Sequence, residues 1–210
     1  MPDPVTLLAF AAVALGMVLT PGPNMIYLVS RSISQGTRAG LISLGGVALG
    51  FVFWALAAAF GLTALLLLVP YAYDALRIAG ALYLGWLAWE AIRPGGRSPF
   101  DVRRLPVASG RRLFVMGLVT NLLNPKIAIV YLALLPQFVD PAAGSVLTQT
   151  LALGGAQIAV SVGVNAMIAM AAGTIATFLA GRPLWAVVQR WLMATVLGGL
   201  AIRMALDARR

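Results

Sequence analysis

One lysine and two proline-broken apolar segments are the places in this sequence where residue type and spacing could do chemistry. Lys126 has 13 uncharged residues before it, back to Arg112, and 13 after it, up to Asp140. An ammonium so far from other charges belongs near the middle of a hydrophobic span, where insertion costs about 2.5–3.5 kcal/mol. Two roles suit it. It can hydrogen-bond the carbonyls that end the preceding half-helix, or it can meet a solute carboxylate or carry a proton. The second is the default for an intramembrane charge.

Each broken segment interrupts an apolar run. The first is Thr20-Pro21-Gly22-Pro23-Asn24, and the second is Thr120-Asn121-Leu122-Leu123-Asn124-Pro125-Lys126. The Thr and the final Asn recur at an offset of 100 residues, close to half the 210-residue chain. Proline inside a helix removes a donor and clashes with the carbonyl four residues back. Hydrocarbon cannot repair that loss, so the freed groups must face protein or a wet cavity. Each break also starts a new half-helix. Asn124 can cap one while Pro125 fills its first position, and Gly22 and Pro23 can do the same for the other. Free N–H groups at such starts carry partial positive charge and suit a carboxylate. One proline pair alone would read as a kink; two breaks in corresponding positions of two halves point to a binding site. The candidate substrate-binding residues are Pro21, Gly22, Pro23, Asn24, Asn121, Asn124, Pro125 and Lys126. No catalytic residue and no metal ligand is expected.

The elements that carry these residues are set by composition. Hydrophobic residues make up 61% of the chain and charged residues 10%, against about 25% charged in a soluble domain. Lipid must therefore be the solvent for most of the exterior. At roughly 20 residues per span, the length allows about six spans with short loops. They are read as span 1 broken at Pro21–Asn24, span 2 over about 39–61, span 3 ending near Glu90, span 4 over 113–139, span 5 over 147–180 and span 6 over 184–206. Tyr83, Trp86 and Trp89 lead toward an interface, where aromatic rings settle. The N-terminal segment has Asp3 and no basic residue in its first four positions, so it reads as a retained span rather than a secretory signal.

The fold expected is an all-α integral membrane protein, with six transmembrane helices as two inverted three-helix repeats whose helices 1 and 4 are broken. It forms a single transporter domain over residues 1–210: a first repeat (1–92), a basic cytoplasmic loop (93–110) and a second repeat (111–210). Three spans per half is an odd number, so the halves insert with opposite orientation. Arg93, Arg97, Arg103, Arg104, Arg111 and Arg112 place their loop in the cytoplasm and the N-terminus outside. The net charge of +9 is read the same way, and nucleic acid is excluded as a partner. The absence of Cys and His removes most nucleophiles, bases and soft metal ligands. An enzyme is not expected, and no cofactor.

Lesser features read as structural. Asp74 with Arg77 and Glu90 with Arg93 stand three residues apart as interfacial ion pairs. Gly46 and Gly50 form a small-xxx-small pair for helix packing. Gln157 and Asn165 either line a cavity or hydrogen-bond between helices.

Taken in order, three stretches resemble the LysE/RhtB amino-acid exporter family (LysE-type translocators). They are Thr20–Asn24 with Ser30-Arg31 and Gly36-Thr37-Arg38-Ala39-Gly40, then Gly80–Trp86, then Asn124-Pro125-Lys126 with Leu135–Pro141. The resemblance implies a multi-pass protein of the bacterial plasma (inner) membrane that exports amino acids or related metabolites on the proton gradient. It carries over the Pro-Gly-Pro and Asn-Pro-Lys residues as site residues. Many members have a polar residue or histidine in mid-span 2, where this chain has Phe51-Val52-Phe53-Trp54, so a basic-substrate specificity is not carried over. The partners expected are a small-molecule substrate and membrane lipid, with a homo-oligomer left open. A passive small-solute channel and a membrane-embedded enzyme are the alternatives.

Overall fold

A computed structural model of the chain describes residues 2–20, 22–68, 72–93, 106–180 and 183–206. Among these there is helix and no strand. Helices α1 (Pro4–Leu19) and α2 (Pro23–Gln35) meet at a bend of 55°. The 32-residue α3 (Thr37–Leu68) and the 21-residue α4 (Ala72–Ile92) follow. A second bend, of 51°, joins α5 (Gly110–Leu122) to the stretch Pro125–Phe138. That stretch is a short α6 (Pro125–Ile129), a π-helical turn (Val130–Leu134) and a 3-10 turn (Leu135–Phe138). The 35-residue α7 (Val146–Ala180) and the 24-residue α8 (Pro183–Leu206) complete the chain.

Local chemistry fixes the ends. Asp3 caps α1, accepting from Thr6 N–H at 2.9 Å, and Pro4 takes the first helical position. Gly36, at φ 86°, turns the chain from α2 into α3 in a conformation that favours glycine. Ser109 caps α5. Between the second bent pair and α7 the chain makes a 3-10 turn over Pro141–Ala143, in which the Asp140 carboxylate accepts from Ala142 N–H at 2.9 Å.

Helix α3 is the axis of the packing, set against α5 on one side and α7 on another. Its approach to α5 is possible only because both faces are stripped of side chains. A methyl carbon on Gly46 would sit 1.9 Å from the Phe114 carbonyl oxygen, and one on Gly117 would sit 2.1 Å from that of Ser43. The packing role expected of Gly46 and Gly50 is the one observed. Phe10, Leu28, Val47, Phe51, Tyr131 and Leu153 fill the core between these helices. Large apolar side chains such as Phe60, Leu82, Trp86, Trp89 and Leu123 cover the outside, the inversion expected when lipid is the solvent.

Arg31 ties α2 to the start of α5. The residue is 3% exposed, and its guanidinium donates to the Pro106 carbonyl at 2.9 Å and to Gln35 at 3.2 Å. Gln35 in turn exchanges two 2.9 Å hydrogen bonds with the Ala108 backbone, and Tyr27 donates to the Leu113 carbonyl.

The six crossings read in the sequence are met in part among the described residues. Within α3 and α7, stretches of 25 and 27 described residues are long and apolar enough to cross a membrane. Among the described residues, the candidate crossings number up to four when each bent pair counts as one. Helices α4 and α8, which pack along one another, occupy the segments read as spans 3 and 6. The arginines at 97, 103 and 104, and the side chains of Asp74, Arg77 and Glu90, lie outside the described residues, and so do the ion pairs expected of them.

The glycine contact is testable by sign. Gly46→Ala and Gly117→Ala must push two backbones apart, at a cost of about 1–3 kcal/mol. Gly155→Ala meets nothing within 4 Å and gains up to about 1 kcal/mol of helix propensity. Thermal unfolding in detergent should move down for the first two and hold or rise for the third.

Candidate functional site

The two breaks meet. At the first, α1 ends at Leu19, Gly22 takes the cap position with no side chain, and Pro23 begins α2. At the second, α5 ends at Leu122, Asn124 caps α6 and Pro125 begins it. The Asn124 side-chain oxygen accepts from Lys126 N–H at 3.1 Å. These are the caps and first-position prolines the sequence predicts. Their register differs from the offset of 100, however. Aligning the caps pairs Gly22 with Asn124, Pro23 with Pro125 and Asn24 with Lys126, because helix starts are matched by backbone role and not by residue identity.

Lys126 is 7% exposed and joins one break to the other. Its ammonium donates to the carbonyl oxygens of Thr20 at 2.7 Å and Met17 at 3.1 Å. It thus hydrogen-bonds the end of α1, in the opposite half of the chain, and not the end of its own preceding half-helix α5. The last carbonyls of a helix lack internal partners and carry partial negative charge. Gly22 makes room: a methyl carbon there would lie 2.9 Å from the Lys126 Nζ and 3.1 Å from its Cε.

A small, partly open cavity lies at this junction. Lys126, Asn24 and Asn124 line it, with Gln157, Ser161 and Asn165 of α7 opposite and Met17, Val18 and Phe51 as an apolar wall. Lys126 is the one charged group among the lining residues. Several of the amides are unspent. Both polar atoms of the Asn24 side chain, Asn124 Nδ2 and Asn165 Oδ1 are buried without a hydrogen-bond partner among the described residues. Buried polar groups are seldom left so, and a cluster of them around one cavity is what a polar ligand would complete.

The α7 side is organised by its own ladder. Gln157 donates to the Ser161 hydroxyl at 2.9 Å, and Asn165 donates to the Ser161 carbonyl at 2.8 Å. Tyr131, fully buried on the π-helical turn, donates to Gln157. Insertion of a π turn after Pro125 rotates the following residues, and such turns recur at functional sites.

Of the sequence candidates, Asn24, Asn124 and Lys126 line the cavity, Gly22 adjoins the ammonium, and Pro23 and Pro125 start the half-helices. Asn121 does not join them. It is fully buried against α3, where a methyl carbon on Gly50 would fall 2.6 Å from its Oδ1. Pro21 lies outside the described residues. Ser161, Tyr131 and Phe51 were missed as lining or supporting residues. The four-residue spacing of Gln157, Ser161 and Asn165 puts all three on one helix face and could have found Ser161.

The sequence matches the model of the family described as LysE type translocator over residues 15–208. The chain belongs to this family. It is 34% identical to a homoserine/homoserine lactone efflux protein of Salmonella typhimurium over 164 residues, 78% of each chain. It is 26% identical to a leucine efflux protein of Enterobacter sp. over 204 residues, 90% of each. With the membrane protein YahN of Escherichia coli it shares 31% identity over 115 residues, so the chain spans about half the length of that relative (52%). No solved structure matches. Translocators of this family, and relatives named for efflux, are membrane transporters and not enzymes.

Because the natural chain has no cysteine, single cysteines report access to the cavity. Ser161→Cys should react with a small charged thiosulfonate and be shielded by a bound substrate. Leu123→Cys, at a position 77% exposed on the outer face, should stay unreacted in lipid, where no thiolate forms. Equal labelling of the two would remove the cavity assignment.

Proposed function

We propose that this LysE-type translocator is a secondary active exporter of an amino acid or related small metabolite across the bacterial inner membrane. The observation that carries the reading is the cavity where two broken helices meet around one ammonium and a set of unpaired amides. A substrate carboxylate would sit at the start of α2, whose first N–H groups have no acceptor within the helix. The Lys126 ammonium has three donors and spends two on α1, which leaves the third for that carboxylate. Gly22–Asn24 and Asn124–Lys126 are then the substrate-binding segments. The wall of Met17, Val18 and Phe51 takes an uncharged side chain, in keeping with relatives named for homoserine and leucine efflux.

Alternating access is the mechanism we propose for it. The order bent pair, long helix, third helix runs twice, as α1 to α4 and α5 to α8. With α4 and α8 counted as spans, the chain is two inverted three-helix halves that rock around the site. The arginine-rich loop lies in the cytoplasm and the N-terminus outside. Proton coupling is assigned to Lys126, the one ionisable group lining the cavity; Asp3 and Asp140 are exposed at element ends.

The test is counterflow in proteoliposomes. The wild type should exchange a neutral amino acid saturably, and an imposed pH gradient should drive net flux. Lys126→Met and Asn124→Ala should each lower exchange by about tenfold or more, the loss of at least 1.4 kcal/mol of binding. Unchanged exchange in both variants would overturn the site assignment. Non-saturable flux without counterflow would make the protein a channel, and indifference to the pH gradient would remove the proton coupling.

A further inference from the structure

We infer that the end of α1 is a monovalent-cation site which the chain fills with its own side chain. The Thr20 and Met17 carbonyl oxygens converge on one point, 2.7 and 3.1 Å from the Lys126 Nζ. Carbonyls become available in this way only where a helix ends. Here the end lies inside the protein, closed by Thr20 N–H bonding back to Gly16 and Met17. Two buried oxygens at the negative pole of a helix make a receptor for a small cation. The ammonium that occupies it belongs to the other half of the chain, 106 positions from Thr20.

The site has a built shape around that ammonium. Gly22 leaves the space that any side chain would take from Nζ. No carboxylate is among the residues lining the adjoining cavity, so among the described residues the ammonium is met by the Thr20 and Met17 carbonyls. From α2 the facing groups are the neutral Asn24 and Met25, from α3 Phe51, and from α7 Gln157, Ser161 and Asn165. None of these titrates in the physiological range.

Two consequences follow. The carrier needs no dissolved metal cation to bridge a broken helix and a substrate carboxylate, because a tethered ammonium stands in that place. Shortening the tether creates a vacancy that a free alkylammonium ion can enter. The link to substrate rests on the transport reading above, whereas the cation site itself does not.

Lys126→Ala tests the inference with ethylammonium as the probe and tetraethylammonium, which has no N–H donor, as the control for charge and ionic strength. The wild type should exchange substrate equally well in choline buffer free of sodium and potassium. Lys126→Ala should lose about tenfold or more in exchange. Ethylammonium should restore it and raise the unfolding temperature of the variant, and tetraethylammonium should do neither. Lys126→Met, whose side chain fills the vacancy, should not respond. By linkage, ethylammonium should lower the substrate KM of the alanine variant, and substrate should lower the half-saturating ethylammonium concentration. A brace without contact to substrate would raise stability and leave KM unmoved.

Full exchange by Lys126→Ala in choline buffer would overturn the inference, as would a cooperatively unfolding variant whose stability ignores ethylammonium. If that variant does not fold, Gly22→Ala keeps the lysine and displaces its ammonium. The expected result is an increased substrate KM, and a wild-type KM would refute the site. A wild type that carries no amino acid indicts the transport reading instead, because the stability shift with ethylammonium needs no transport.

Discussion

Backbone groups freed inside a low-dielectric interior must find partners, and this requirement governs the structure around the two breaks. Each unsatisfied amide or carbonyl at membrane depth costs several kcal/mol. At the second break the Asn124 side chain meets one such group, accepting from Lys126 N–H. At the first break the cap is a glycine with nothing to offer, and the α1 carbonyls are met by Lys126 from the other half. One residue therefore serves both breaks, its N–H at one and its ammonium at the other. The two interruptions hold each other open.

That arrangement depends on how closely the helices approach. The glycine faces of α3 and α5 let backbones touch, which draws the second break toward the axis of the protein. Without that contact α5 would stand off by the width of a side chain, and the reach of Lys126 to α1 would lengthen accordingly. The π turn after Pro125 contributes in the same direction by turning Tyr131 toward α7. Its hydroxyl fixes Gln157, and Gln157 fixes Ser161. Gln157 and Ser161 on α7 are thus held in one conformation, while the amides of Asn24 and Asn124 across the cavity keep atoms without a partner among the described residues.

Much of this was legible beforehand, and the reasons differ by residue. Pro23 and Pro125 announce helix starts because a proline's fixed φ and missing N–H are local properties. Asn124 announces a cap for the same kind of reason. The sequence places span 6 at 184–206 and α8 is Pro183–Leu206, since the apolar run and the proline that opens it are visible in one dimension. Asn121 shows the limit. Its place beside Asn124 suggested the cavity, yet it turns toward Gly50. A neutral amide carries no mark of the side it faces.

Composition and local chemistry by themselves determined that the chain lives in lipid, that it is helical, and that two of its apolar segments are broken. They also placed one ammonium where an ammonium is expensive. Only the tertiary structure decided what that ammonium touches. The partners of Lys126 are two main-chain oxygens in the other half of the chain, and main-chain oxygens look alike in any sequence. Their availability arises from the ending of α1, the gap left by Gly22 and the approach of α5, and it exists only once all three are assembled.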